Sequence, residues 1–344
     1  MENPCLTFVT PTLLAGDRSL SDVIAHEICH SWTGNLVTSC SWEHFWLNEG
    51  FTVFLERKVK AKMAGTPAQH MSAIEGWNSL QYCIEHRGST DPLTALIPDL
   101  EGIDPDDAFC SVPYEKGHTF LWYLQSLVGG PDEFDPFLMR YLDRFHGRAI
   151  DSECFKSFFC SYFVSKAEAL KDVDWHAWFH APGMPPYTPK FDTSLVDSCY
   201  KLSDSWKEWS GEGEPPFSKS DLEPFSSNQI IVWLEKMFAT RLSLAKVQKM
   251  EETYALGEVT NAEIRFRWLR LCLQVKWDDK VEEALAFVNA QGRLKFVRPI
   301  YRDLYLWEEA RSRAVSNFLS QKSAMMHVSV LGISKDLHLE EESS

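Results

Sequence analysis

His26 and His30 stand four residues apart in His26-Glu27-Ile28-Cys29-His30. On an α-helix, at about 100° per residue, both imidazoles leave the same face, as two ligands of one metal ion must, and Glu27 projects beside them. A catalytic zinc needs three protein donors and one position open to water. Glu49, in Trp46-Leu47-Asn48-Glu49-Gly50, is the candidate third donor, completing a His₂Glu set if its helix folds back across a short loop. A three-histidine site is excluded, because Thr33 and Leu36 occupy the places where H-E-x-x-H-x-x-G-x-x-H requires Gly and His. The chemistry expected is hydrolysis: zinc brings the pKa of a bound water to about 7, and Glu27, outside the donor set, takes its proton as it attacks a carbonyl carbon. Negative charge on the carbonyl oxygen calls for a further donor, for which Tyr114 is the candidate. An H-E-x-x-H by itself also occurs on ordinary helices, and Glu49 by itself could cap its own helix; their combination points to a metal.

The elements that must position these residues are mostly helical. Ser21 and Asp22 are capping residues ahead of a short helix from Val23 to Trp32, which Gly34-Asn35 can stop. Phe45, Trp46, Val53, Phe54 and Val59 recur at helical spacing and predict a second helix from Trp42 to about Met63, ended by Gly65-Thr66-Pro67. Helical stretches follow at residues 115–128, 134–145 and 152–165, and strands are expected to be scarce after Thr10. The densest Pro/Gly stretch, residues 181–192, reads as a linker between a first domain over residues 1–180 and a second over residues 193–344. Amphipathic segments at 228–240, 244–254, 262–275, 278–289 and 298–319, with short connections, predict a stacked, all-helical, armadillo-like solenoid.

Composition narrows the function classes. A chain of 344 residues with 44% hydrophobic residues can bury a core in each of two domains. The formal net charge is −15, with Lys and Arg scattered, so nucleic acid is not an expected partner; an acidic field favours positively charged ligands such as a peptide's free amino terminus, or serves solubility alone. Nine cysteines without a C-x-x-C pair suit reduced thiols in a cytoplasmic protein. No apolar run reaches the length of a membrane span, and Met1-Glu2-Asn3-Pro4-Cys5 lacks the features of a signal peptide.

The run from His26 to Glu56, with Met1-Glu2-Asn3 and Val112-Pro113-Tyr114-Glu115-Lys116-Gly117, resembles the aminopeptidase N-type zinc aminopeptidases, a gluzincin family. The likeness continues through residues 261–270 and 291–296, where it is similar to a branch of that family with epoxide hydrolase activity. It implies a mainly α chain: the carboxyl-terminal part of a thermolysin-like catalytic domain, then the helical solenoid. It also implies one Zn²⁺ per chain, bound by His26, His30 and Glu49, with Glu27 and Tyr114 catalytic. Glu2 matches the glutamate of the family's G-x-M-E-N motif, which holds the substrate's free amino group. Arg293 and Lys295 match a pair that holds the substrate's carboxylate, which suits short peptides and, in that branch, a fatty-acid epoxide. Asp106 matches the aspartate that positions water in the epoxide reaction; read alone, it is equally a helix-capping turn residue. Glu56, seven residues beyond Glu49, either supports the zinc ligands or is an exposed helix charge.

The chain departs from the family pattern in two ways. Phe109 stands where the epoxide-hydrolysing branch has a second tyrosine, so the peptidase activity has the stronger support. The chain also opens inside the exopeptidase motif, so an amino-terminally truncated chain is expected, with some apolar surface exposed. Two alternatives follow: a zinc-binding chain without turnover, and a helical interaction module in which the residues after Asp192 do the work.

Overall fold

The computed structural model describes residues 1–339. Helices dominate, and among the described residues the only sheet is a pair of three-residue parallel strands, β1 (Val37–Ser39) and β2 (Arg148–Ile150), with Val37 opposite Arg148. The chain divides into two compact units. One comprises Met1–Val9 and Ser21–Ser194; the other comprises Thr10–Leu20 and the described residues from Leu195 onward.

The first unit is built on α1 (Ser21–Cys29), α2 (Trp46–Ala64), α3 (Thr66–Arg87), α4 (Val112–Val128), α5 (Pro131–Phe145) and α6 (Ser152–Tyr162). Gly65, at φ 88°, ends α2 in a conformation that costs a glycine little, and Pro67 then opens α3. Gly65-Thr66-Pro67 is therefore a corner between two long helices and not the start of a loop, and α3 is an addition to the helices expected from the sequence. Trp46, Phe51, Phe120, Phe134, Tyr141 and Phe155 fill the core, with Phe51 and Tyr141 stacked at 4.8 Å between ring centroids. The one polar atom of Trp46, its indole Nε1–H, donates to Ser152 Oγ at 2.8 Å, so the ring is buried without an orphaned donor.

Two devices fix α2 against α4. Gly50 and Gly117 meet backbone to backbone: a Cβ on Gly50 would lie 2.8 Å from Gly117 Cα. Gly117→Ala is therefore expected to push the helices apart and to lower stability by about 1–3 kcal/mol, the usual cost of overpacking, read as a fall in the denaturation midpoint. Buried Arg57, on α2, grips Glu115, on α4, with two hydrogen bonds of 2.8 and 3.0 Å, and donates to Ser72 Oγ and O on α3. Gly76 leaves room for this clamp, since a Cβ there would overlap the Glu115 carboxylate.

Lys116 is fully buried with no carboxylate partner. Its Nζ donates to the carbonyls of Thr94, Ala181 and Gly183 at 2.9–3.1 Å, and burial pushes its pKa down to about 8. Part of the Pro/Gly stretch thus packs on the first unit, where Gly183 N–H also donates to Thr94 Oγ1.

In the second unit α7 (Ser194–Glu208) precedes a series made of α8 (Ser227–Thr240), α9 (Leu244–Tyr254), α10 (Ala262–Gln274), α11 (Val281–Ala290), α12 (Leu294–Leu306), α13 (Glu308–Gln321) and α14 (His327–Asp336). Alternate helices stack, α8 on α10, α10 on α12 and α12 on α14, as in a solenoid. The segment expected at residues 298–319 is two helices, because Trp307 is extended at φ −90°, ψ 106° and turns the chain between α12 and α13. Thr10–Leu20 is held in this unit by Asp17, whose carboxylate accepts from Ser227 Oγ at 2.7 Å and from Asn261 Nδ2 at 2.9 Å. No helix among the described residues is long and apolar enough to cross a membrane.

Candidate metal centre

The first turn of α2 carries Glu49, and Asn48 beside it accepts a hydrogen bond from the Ser39 backbone N–H, tying the start of α2 to β1. Packing of α1 on α2 then brings three donor atoms together. His26 Nε2 and His30 Nε2 lie 3.1 Å apart, and each is 3.3 Å from Glu49 Oε2. A tetrahedral shell with zinc–ligand bonds near 2.05 Å places its donors ~3.3 Å apart, so the triangle already has the size such an ion requires. It is the one group of three or more His, Cys, Asp or Glu donors found among the described residues.

The ring nitrogens that face away from the triangle are all engaged. His26 Nδ1 lies 3.0 Å from Glu56 Oε2. His30 Nδ1 lies 3.0 Å from the Thr33 carbonyl and 3.2 Å from Thr52 Oγ1, and Thr52 itself donates to that carbonyl at 2.8 Å. A proton on each Nδ1 satisfies the carboxylate and the carbonyl and leaves both Nε2 lone pairs directed at one point. Thr33 and Thr52 were not among the candidates read from the sequence; the signal available was Thr52 at three residues beyond Glu49, on its helical face. Glu56→Gln is expected to weaken zinc ~10–100-fold, measured by competition with a chromogenic chelator.

The electrostatics favour a cation. Burial alone would lower the pKa of His26, but hydrogen bonds and charge from Glu49 and Glu56 outweigh it and raise it to about 10. Burial would likewise raise Glu49, and its bonds to His26 and His30 instead hold it below the usual carboxylate range. The donor set therefore stabilises a positive charge at its centre, as a divalent ion would supply.

A cavity of about 450 Å³ opens on this triangle. Its wall includes Glu2, Glu27, Asp106 and Tyr114, so the five residues singled out in the sequence as ligands or catalytic groups share one space with the substrate-binding candidates Glu2 and Asp106. The Tyr114 ring lies nearly parallel to His26, with centroids 6.3 Å apart, and burial together with the charges of Glu49 and Glu2 raises its pKa, so it remains a hydrogen-bond donor. Glu27 Oε2 sits 2.9 Å from the Met1 ammonium. Asp106 lies on the short turn Pro105–Ala108, and its backbone N–H donates to the capping Asp104 carboxylate at 3.0 Å. Leu93, Leu96, Leu100 and Phe109 give the cavity an apolar side.

Arg293 and Lys295 belong to the second unit. Lys295 Nζ pairs with both oxygens of buried Glu263 at 2.7 and 2.8 Å, and Arg293 reaches the same carboxylate at 3.3 Å. Arg267 shares it too, at 2.8 Å, and also pairs with Glu235 at 2.6 Å, so three cations face two anions. Burial lowers the Lys295 pKa against the pull of Glu263, with Arg267 and Arg293 adding to the decrease.

A convergent His₂Glu triangle on a helical frame defines a class, and residues 1–178 match the peptidase family M1 domain: the chain belongs to that family. Residues 225–337 match the carboxyl-terminal domain of leukotriene A4 hydrolase. Among individual proteins, it is 48% identical to Leukotriene A-4 hydrolase of Xenopus laevis over 98% of this chain and 56% of that protein, and 45% identical to Leucine aminopeptidase 2 of Coccidioides immitis over 94% of this chain and 52% of that protein. The solved structure of yeast LTA4 hydrolase in complex with bestatin superposes with a TM-score of 0.94 at 37% identity, covering 98% of this chain and 57% of that one. The chain thus spans about half the length of the relatives it matches.

Proposed function

We propose that this chain carries the catalytic centre of a zinc-dependent aminopeptidase that removes amino-terminal residues from short peptides. The observation that carries the reading is the triangle of His26 Nε2, His30 Nε2 and Glu49 Oε2, with sides of 3.1, 3.3 and 3.3 Å. A zinc ion held there would supply a Lewis acid and bring a water molecule's pKa to about 7.

The protein's own groups supply the remaining chemistry. Glu27, beside the triangle and outside it, takes the proton of the attacking water and returns it to the leaving amine. The Tyr114 hydroxyl donates to the carbonyl oxygen as that oxygen gains negative charge; Tyr114→Phe is expected to lower kcat ~10²–10³-fold with little change in KM. Glu2 pairs its carboxylate with the substrate ammonium, which restricts cleavage to the first residue. In the second unit, Arg293 and Lys295, with Arg267, carry the excess positive charge suited to a carboxylate.

Epoxide hydrolysis is a second reading, favoured by Asp106 and the apolar side of the cavity, which suit a fatty chain and a positioned water. Phe109, in place of a tyrosine, leaves that reaction with one phenol fewer.

The test is metal analysis of the purified chain together with release of arylamine from aminoacyl arylamides. One zinc per chain with turnover supports the peptidase. One zinc without turnover points to the non-catalytic alternative, and a chain that binds no zinc leaves only the helical interaction module.

A further inference from the structure

Lys116 is a buried cation that the chemistry above does not use. It lies on α4 two residues beyond Tyr114, fully buried, and faces no carboxylate among the described residues. Taking an ammonium out of water is costly unless each of its donors finds a partner. Here all three protons reach backbone carbonyls, that of Thr94 at 3.1 Å and those of Ala181 and Gly183 at 2.9 Å each. An apolar side chain would avoid the desolvation, but it would leave three carbonyls from two distant segments without their common donor.

Those two segments shape the metal cavity. Leu93, Ala95 and Leu96, on either side of Thr94 in the chain, form part of its apolar wall. Thr94 itself is fully buried and accepts from Gly183 N–H at 2.8 Å, and Ile97 N–H donates to the Phe179 carbonyl at 2.8 Å. Gly183, at φ 81°, stands so close to the chain ahead of this wall that a Cβ would lie 2.8 Å from the Ser89 carbonyl oxygen. The turn at 181–183 is therefore an abutment for residues 89–97, and Lys116 joins it to α4.

We propose that Lys116 is a positioning residue for substrate selection. By tying Thr94 to the 181–183 turn it fixes how far the wall of Leu93, Ala95 and Leu96 stands from Tyr114. That distance sets how large an apolar side chain the first residue of a peptide can bring into the cavity. Residues two apart on a helix point about 200° apart, so Tyr114 borders the cavity while Lys116 does not, and Lys116 acts only through the wall. One rigid helix thus carries both the donor to the carbonyl oxygen and the anchor of the specificity wall. The proposal rests on the aminopeptidase reading, which places the first residue by its ammonium and its carbonyl.

The experiment measures calorimetric binding of leucine hydroxamate and alanine hydroxamate to the full, zinc-loaded chain, as wild type and as Lys116→Met. These compounds need the metal and the cavity but no turnover. The wild type is expected to prefer the leucine compound. Lys116→Met is expected to weaken leucine hydroxamate ~10-fold and alanine hydroxamate, whose side chain stops short of the wall, by less than ~2-fold. In turnover of the matching arylamides the same shift is expected in KM, with the two kcat values moving together. Thr94→Val keeps Lys116 and removes the acceptor of the Gly183 N–H; a shift of the ratio in the same direction, ~3-fold, is expected there, and this variant decides the matter if Lys116→Met fails to fold.

An unchanged ratio overturns the proposal, and so does an equal loss of both compounds, which is what general loosening of the fold would produce. A wild type that binds both compounds equally leaves the aminopeptidase reading standing and overturns the role of the wall. A wild type that binds neither overturns the reading, and the proposal with it.

Discussion

Glu27→Gln is expected to reduce turnover of an aminoacyl arylamide by ~10²–10⁴-fold while leaving one zinc per chain and KM nearly unchanged. The amide keeps the size and hydrogen-bonding outline of the carboxylate, so neither α1 nor the cavity need rearrange. What is lost is the ability to hold a proton between the attacking water and the leaving amine. The metal is spared because the three converging donors are His26, His30 and Glu49, and Glu27 is not one of them. Metal analysis and steady-state kinetics on the same sample check this directly. A variant that turned over at the wild-type rate would place the base elsewhere, and one that lost its zinc would put Glu27 in the donor set.

Glu49→Ala is expected to have the larger effect on the metal itself. It removes the donor that stands 3.3 Å from both imidazoles and leaves only two ligands. Because loss of an outer partner alone typically costs ~10–100-fold in affinity, loss of a direct donor is expected to cost well over ~10²-fold, and zinc should not survive gel filtration. The change also removes the buried charge that favours the cationic form of His26, so the site loses both a donor and its preference for positive charge. The two substitutions therefore divide the proposed mechanism cleanly: Glu27→Gln separates chemistry from binding, and Glu49→Ala abolishes both. Equilibrium dialysis against buffered zinc distinguishes them, with full occupancy expected for the first and almost none for the second.

Local chemistry was legible in the sequence. His26 and His30 share a face because 3.6 residues make a turn, and that holds for any helix wherever it lies in a fold. The same periodicity marked α2, α8, α9 and α10, whose apolar residues form recognisable stripes. It failed for α3, where the buried positions include the small residues Ser72, Ala73 and Gly76 and the stripe is faint. The break between α12 and α13 was invisible because Trp307 is itself apolar and continues the pattern across a turn.

Contacts between distant segments were decided only by the tertiary structure. Glu49 reaches the imidazoles because α1 packs on α2, and Tyr114 borders the same cavity because Gly50 and Gly117 allow α2 and α4 to cross backbone to backbone. No spacing in the chain reveals that Trp46 meets Ser152, or that Lys116 lies against the carbonyls of Ala181 and Gly183. Dihedral preferences and helical period act over a few residues and are written locally. Which helix faces which is set by the packing of whole surfaces, where a missing methyl group at Gly117 counts for as much as a charged side chain.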